Sequence, residues 1–318
     1  MSGSVRFGSI SVWSQGLTAW RVLVAAFAVL LAFDPAAAQP GPQPFPVQPP
    51  AGTLVFHCKL QGQLDLFVSD DGSRTARNLT DHPAEDSAPA LSPDGTRVAF
   101  QSTRSGKCHI FVMPLAGGPV TTLTTGSGLE QSPVWSPDGA WLYFDGHRDS
   151  AWRLCRVPAA GGVVEVLTGP ELDALSPAVS PDGKSLACQM RKAGDETWNI
   201  GLLGPDGKLR AELTAPGASF NETPVFSADG RWVLFAAAAR DGYDLYRVSS
   251  SGTGPVQRLT DTGGWKLHPE PAGDRLVLFD ARTPAGWRIA LLDLQTGATR
   301  ILSSSRDCFH PSWRAARR

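Results

Sequence analysis

The chain of 318 residues carries 29 basic and 30 acidic side chains, a formal net charge of −1. It lacks the basic excess by which nucleic-acid binders and polybasic membrane binders find their partners. Apolar residues make up 42%, enough for a sizeable core and too many for a disordered chain. Its 33 glycines and 26 prolines suit many tight turns between short strands and suit long helices badly.

Residues 22–33 form an apolar run, with Arg6 and Arg21 before it and Ala36, Ala37 and Ala38 after it. A basic start, a short apolar centre and small residues before a cut describe a secretory signal peptide. The run is shorter than the roughly 20 residues a membrane span needs. Residues 1–38 are therefore expected to direct export, with an uncleaved signal anchor as the alternative. No Cys stands just after the run, which disfavours a lipoprotein anchor. Residues 39–51 hold Pro40, Pro42, Pro44, Pro46, Pro49 and Pro50, which enforce an extended linker. The expected location is periplasmic or secreted, with no transmembrane span after signal cleavage.

From residue 52 onward a repeat of about 44 residues organises the chain, a length typical of a propeller blade. Ser92-Pro93-Asp94-Gly95 returns as Ser136-Pro137-Asp138-Gly139 and Ser180-Pro181-Asp182-Gly183, then degrades to Ser227-Ala228-Asp229-Gly230 and Pro271-Ala272-Gly273-Asp274. Pro presets φ, Asp bonds its own backbone and Gly accepts positive φ, so each phrase predicts a hairpin turn. A second strand follows each turn, as in Val98-Ala99-Phe100 and Leu142-Tyr143-Phe144. A third follows, as in His109-Ile110-Phe111-Val112, and a fourth ends near Leu-Thr, as at Leu123-Thr124. Four short strands per repeat predict propeller blades packed around an axis.

Second strands number six, beginning with Leu54-Val55-Phe56, whereas innermost strands before a turn number five. The missing one is His310-Pro311-Ser312-Trp313-Arg314 at the far end. The expected fold is all-β: a six-bladed propeller of four-stranded blades over residues 52–318, closed by the C-terminal strand joining the first blade. Closure of this kind removes an exposed sheet edge.

Turn geometry sets Asp86 opposite Ser102, and repeat alignment puts Cys308 and Cys58 at those two positions. A Cys58–Cys308 disulfide is therefore expected, persisting in an oxidising compartment, with two unpaired buried thiols as the alternative. Cys108, Cys155 and Cys188 are expected on strands of neighbouring blades as small core hydrophobes. No Cys-x-x-Cys occurs, so zinc-ribbon and thioredoxin readings fall away.

The phrase Pro133-Val134-Trp135-Ser136-Pro137-Asp138-Gly139, the strand Leu142-Tyr143-Phe144 and the Asp65-Leu66-Phe67-Val68 and Leu-Thr segments resemble the repeat of the TolB propeller family. They are also similar to propellers of tricorn-type and prolyl-oligopeptidase-type peptidases. The resemblance covers residues 52–318. TolB-type chains carry a small α/β domain ahead of the propeller, and residues 39–51 are read instead as a linker. The resemblance implies a role in envelope or Tol–Pal-like machinery, but a propeller hosts many unrelated activities.

Signs of chemistry are few. Neither a Gly-x-Ser-x-Gly elbow nor a His-Glu-x-x-His motif occurs, so peptidase chemistry lacks its usual residues. Residues just before each innermost strand should ring one end of the channel: Glu85, Asp86, Glu130, Asp173, Asn221, Glu222, Trp265, Lys266 and Asp307. Such a mostly acidic ring could recognise a cationic peptide. Alternatively, its carboxylates accept bonds from strand-end N–H groups.

His268 and His310 share the position before Pro on adjacent blades, where other blades have Ala88, Ser132, Ser176 and Thr223. They are weak candidates for a metal, with Asp307 as the carboxylate; oligogalacturonate lyases, which are similar propellers, use inner-strand histidines in this way. His57, His82, His109 and His147 are expected to be structural. Trp152, Trp198, Tyr243 and Trp287 repeat at one position and are read as packing between blades.

These observations predict a monomeric, non-catalytic module without a cofactor, binding a protein or peptide of the cell envelope at the channel mouth. The alternative is a metal-dependent carbohydrate-active lyase centred on His268 and His310.

Overall fold

The computed structural model describes residues 51–318 apart from 71–74, 127, 216–219, 304–306 and 317–318. The expected signal peptide and nearly all of the proline-rich linker lie outside the described residues. Among the described residues the chain forms 24 strands grouped as six antiparallel blades of four. The innermost strands, in blade order, are Cys308–Ala315, Asp86–Leu91, Glu130–Trp135, Leu172–Val179, Asn221–Phe226 and Gly264–Ala272. Each packs against the innermost strand of the next blade, and the series closes on itself. Blades 5 and 6 also share a short parallel contact, Gly242 with Gly264 and Tyr243 with Trp265.

The core lies between blades rather than within one. Six apolar clusters fill the six interfaces. The second strand of most blades contributes a fully buried ring, namely Phe100, Phe144, Phe235 and Phe279. Burying one such side chain stabilises by about 1.5–3 kcal/mol. Among the described residues no helix is long and apolar enough to cross a membrane.

The turn phrases fold through their own side chains. In Ser92-Pro93-Asp94-Gly95 the Ser92 hydroxyl donates to Asp94 at 2.5 Å and accepts the Arg97 N–H at 2.9 Å, while Asp94 accepts the Thr96 N–H at 3.0 Å. The same three bonds recur at Ser136, Ser180 and Ser227. These bonds hold the Asp94 and Asp229 carboxyls down at about 2. Gly95 closes the turn at a φ of 67°, which a side chain would strain.

The Leu-Thr endings have an equally local cause. In all six blades the Leu N–H bonds a third-strand carbonyl, as Leu79 does Leu66 at 2.8 Å. The next hydroxyl then accepts that third-strand residue's own N–H: Thr80 from Leu66, Thr124 from Ile110, Thr168 from Leu154, Thr214 from Ile200, Thr260 from Leu245 and Ser303 from Ile289. An outer strand of two to four residues is thereby fastened to its blade.

Blade 1 is built from both ends of the propeller. Cys308–Ala315 pairs with Gly52–Leu60, and Cys58 and Cys308 face each other and are joined by a disulfide. Cys155 and Cys188 are buried core thiols as expected. Cys108 is not: it precedes the third strand of blade 2, is half-buried, and directs its thiol to the Glu130 carbonyl at 3.3 Å.

Candidate functional site

One backbone feature organises the channel end. Ala88, Ser132, Ser176, Thr223, His268 and His310 all have left-handed φ, between 48° and 53°. A residue without a glycine's freedom costs energy there, so surrounding structure must hold it. Each sits where the register of the innermost strand shifts against its neighbour, so every blade carries a bulge at one height.

The bulges turn backbone N–H groups toward the preceding blade. His310 N–H donates to Asp280 at 2.9 Å, Ala88 N–H to His57 at 3.3 Å, Ser132 N–H to Gln101 at 3.0 Å and Ser176 N–H to Asp145 at 3.0 Å. The acceptors occupy one equivalent position on successive second strands. They make a belt from blade 6 through blades 1, 2 and 3 to blade 4.

The expected mouth residues separate into two rings relative to this belt. Two positions before each bulge residue lie Asp86, Glu130, Asn221 and Lys266, all buried. Asp86 pairs with Arg104 at 2.7 Å, Glu130 with His109 at 3.0 Å and with Arg148, and Lys266 with Asp244 at 3.0 Å. Asn221 donates to the Trp198 carbonyl at 3.2 Å. Buried charges must be paired in this way, and none of these four presents its polar group to the mouth. Glu222, one position before Thr223, is part-buried, and its carboxyl is pushed up by burial.

Three positions before each bulge residue lie Asp307, Glu85, Leu129, Asp173, Phe220 and Trp265 in blade order. Equivalent backbone bonds fix four of them: the carbonyls of Asp307, Glu85, Leu129 and Phe220 accept from Lys59, Thr103, His147 and Ala238. Glu85 and Phe220 are exposed and the other four part-exposed. Leu129 and Phe220 were not singled out by the sequence, because an apolar residue beside a strand reads as core. Asp173 and Asp307 also accept the Trp152 and Trp287 N–H groups at 3.3 and 3.2 Å, the strand-end bonding that was the alternative for these carboxylates. Two of the four repeated aromatics pack across blades, Tyr243 on Trp265 and Trp287 on Phe309 with ring centroids 5.1 and 5.3 Å apart, whereas Trp152 packs on His147 and Trp198 under Arg191 of its own blade.

The two candidate histidines come together, with ring centroids 3.4 Å apart. Their carboxylate is Asp280, not Asp307, which lies three positions before His310 and is bonded to Trp287. Asp280 is fully buried on the second strand of blade 6, its Oδ2 2.5 Å from His268 Nδ1. Burial pushes His268 down to about 3 and Asp280 well up. His57, expected to be structural, joins this group with its ring 5.3 Å from that of His310. Burial, then the neighbouring His310 and His268, hold its basicity down.

With this geometry in hand the relatives can be compared. The model of the Tricorn protease N-terminal beta propeller domain matches residues 53–200. TolB from Acinetobacter baumannii superposes with a TM-score of 0.70 at 20% identity, covering 84% of this chain and 67% of that one. A putative TolB from Agrobacterium tumefaciens superposes with a TM-score of 0.65 at 22% identity, covering 84% and 99%. The chain folds as a β-propeller like those of the two TolB structures. An uncharacterised protein of Agrobacterium fabrum is 31% identical over 117 residues, 34% of this chain and 39% of that protein. The match therefore spans about two fifths of that curated relative. At these identities the superposed structures speak for the fold, and function rests on the site.

Proposed function

We propose that this chain is an exported, non-catalytic binding module that docks a protein or peptide of the cell envelope at the channel mouth. The supporting observation is the outer ring. Three carboxylates (Asp307, Glu85, Asp173) and three apolar side chains (Leu129, Phe220, Trp265) stand on strand ends that the bulge belt and the closed ring hold in place. A segment carrying Lys or Arg beside apolar residues fits that mixed ring. A preformed ring loses little freedom on binding, so more of the contact energy appears as affinity. Export agrees with the Cys58–Cys308 bridge, which persists in oxidising compartments. The lyase alternative is less favoured because Asp280 is wholly buried and its two histidines are only part-exposed, which suits access by a small ion and not by a saccharide chain.

The test is selection from a displayed random-peptide library on residues 39–318, followed by affinity measurement of the selected peptide. Enrichment of basic and apolar residues is expected. Removal of the mouth groups in Glu85→Gln, Phe220→Ser and Trp265→Ala should each weaken binding, the aromatic changes by about tenfold or more. Absence of any saturating peptide, or a peptide indifferent to all three changes, overturns the reading.

A further inference from the structure

The His268, His310 and Asp280 group has no counterpart in the other blades, where Ala88, Ser132, Ser176 and Thr223 hold the bulge position. One donor atom from each of the three residues lies within 4.8 Å of the others. Nδ1 of His310 is buried and has no hydrogen-bond partner, although buried ring nitrogens are almost always satisfied. His57 stands beside them, but its Nδ1 accepts the Ala88 N–H at 3.3 Å. Neutral His57 therefore carries its proton on Nε2 and has no free lone pair to offer.

We propose that His268, His310 and Asp280 form a site for one divalent transition-metal ion of the zinc class at the channel end, with His57 as its wall and not a ligand. Two imidazoles and one carboxylate are a donor set for zinc and its neighbours, whereas calcium takes six or more oxygens. Metal–ligand bonds of about 2.0–2.2 Å put donors roughly 3.3 Å apart on a tetrahedral ion. The observed spread closes to that by small side-chain rotations. The ion sits between the facing His268 Nδ1 and Asp280 Oδ2, and it gives His310 Nδ1 the partner it lacks. Asp280 Oδ1 keeps the His310 N–H bond at 2.9 Å, which fixes the carboxylate as outer-shell bonds do in metal sites. Both histidines retain partial exposure, so an ion can enter and a fourth position stays open to water. This site does not depend on the mouth reading, because none of its residues belongs to the outer ring.

The experiment is a calorimetric titration of untagged, chelator-treated residues 39–318 with zinc chloride, alongside a thermal melt with and without zinc. One equivalent should bind, and the melt should rise only in chains that bind. His268→Gln, His310→Gln and Asp280→Asn should each lose about tenfold or more in zinc affinity. His57→Gln should stay within about twofold, since Gln101 already accepts a bulge N–H at the equivalent position. His109→Gln serves as a second control, because His109 is paired with Glu130 in blade 3 instead. No saturable zinc in the native chain refutes the site. So does undiminished binding in a cooperatively melting His268→Gln/His310→Gln variant, which keeps the test sound even if Asp280→Asn fails to fold.

Discussion

Removing the Cys58–Cys308 bridge should cost this propeller several kcal/mol while leaving its fold intact. The bridge links residues 250 apart, and the chain-entropy model gives about 5 kcal/mol for a loop of that size, as a ceiling. Residual contacts in the unfolded chain lower it, so a loss of about 3–5 kcal/mol is expected. Both sulfurs sit in an apolar interface with Leu54, Phe56 and Leu278. Truncation to Ala therefore adds a small cavity cost, on the order of 1 kcal/mol per site. The two contributions separate by comparison. Cys308→Ala alone opens the bridge, and adding Cys58→Ala contributes only the second cavity. Urea unfolding followed by tryptophan fluorescence reads the result. With a slope near 3 kcal/mol/M, the midpoint should fall by about 1.3–2 M in the single variant and by about 0.3 M more in the double. A midpoint within about 0.2 M of the native one would show that strand pairing alone closes the ring and that the crosslink is thermodynamically idle.

Two further expectations concern buried carboxylates. Burial pushes Asp145 up to about 7 from an unfolded value of 3.8, although the Ser176 N–H acts the other way. Between those values the folded chain holds a proton that the unfolded chain has released, so this group's contribution to stability falls as pH rises. Asp145→Asn abolishes that fall, and the variant should gain on the native chain by up to about 4 kcal/mol from pH 4 to pH 7.5; a pH-independent difference in urea midpoints contradicts this. Glu130→Ala strands His109 and Arg148 and should cost about 3 kcal/mol, the low end for a broken buried pair because Arg148 reaches solvent. A loss under about 1 kcal/mol in the same assay would mean that water replaces the carboxylate fully.

Blade number, closing strand and disulfide were legible because their signals are local and repeated. Ser-Pro-Asp-Gly folds by bonds within six residues, and Leu-Thr by one hydroxyl and one amide. The expected opposition of Asp86 and Ser102 holds even though a bulge at Ala88 and Pro89 interrupts the ladder. The bulge itself was not legible. A left-handed Ala, Ser, Thr or His before Pro is enforced by neighbouring blades and not by its own preference. That missed bulge is why the mouth list mixed two rings: it sends Asp86, Glu130, Asn221 and Lys266 into ion pairs and hydrogen bonds, and leaves their predecessors at the rim. Asp280 was overlooked, and the place of His57 beside the pair missed, for a related reason. Both lie on second strands, and only the belt between blades brings them to the innermost histidines. Cys108 looked like a strand thiol because His109 begins its strand one residue later.

Ring closure underlies the bridge, the mouth and the His268–His310 meeting alike, and backbone hydrogen exchange tests it most directly. Peptides covering Cys308–Ala315 should show the same slow, cooperative exchange as those covering Gly52–Leu60, since each strand pairs with the other. If residues 308–315 exchange at the rate of an unstructured peptide while residues 52–60 remain protected, the closed six-bladed ring is contradicted.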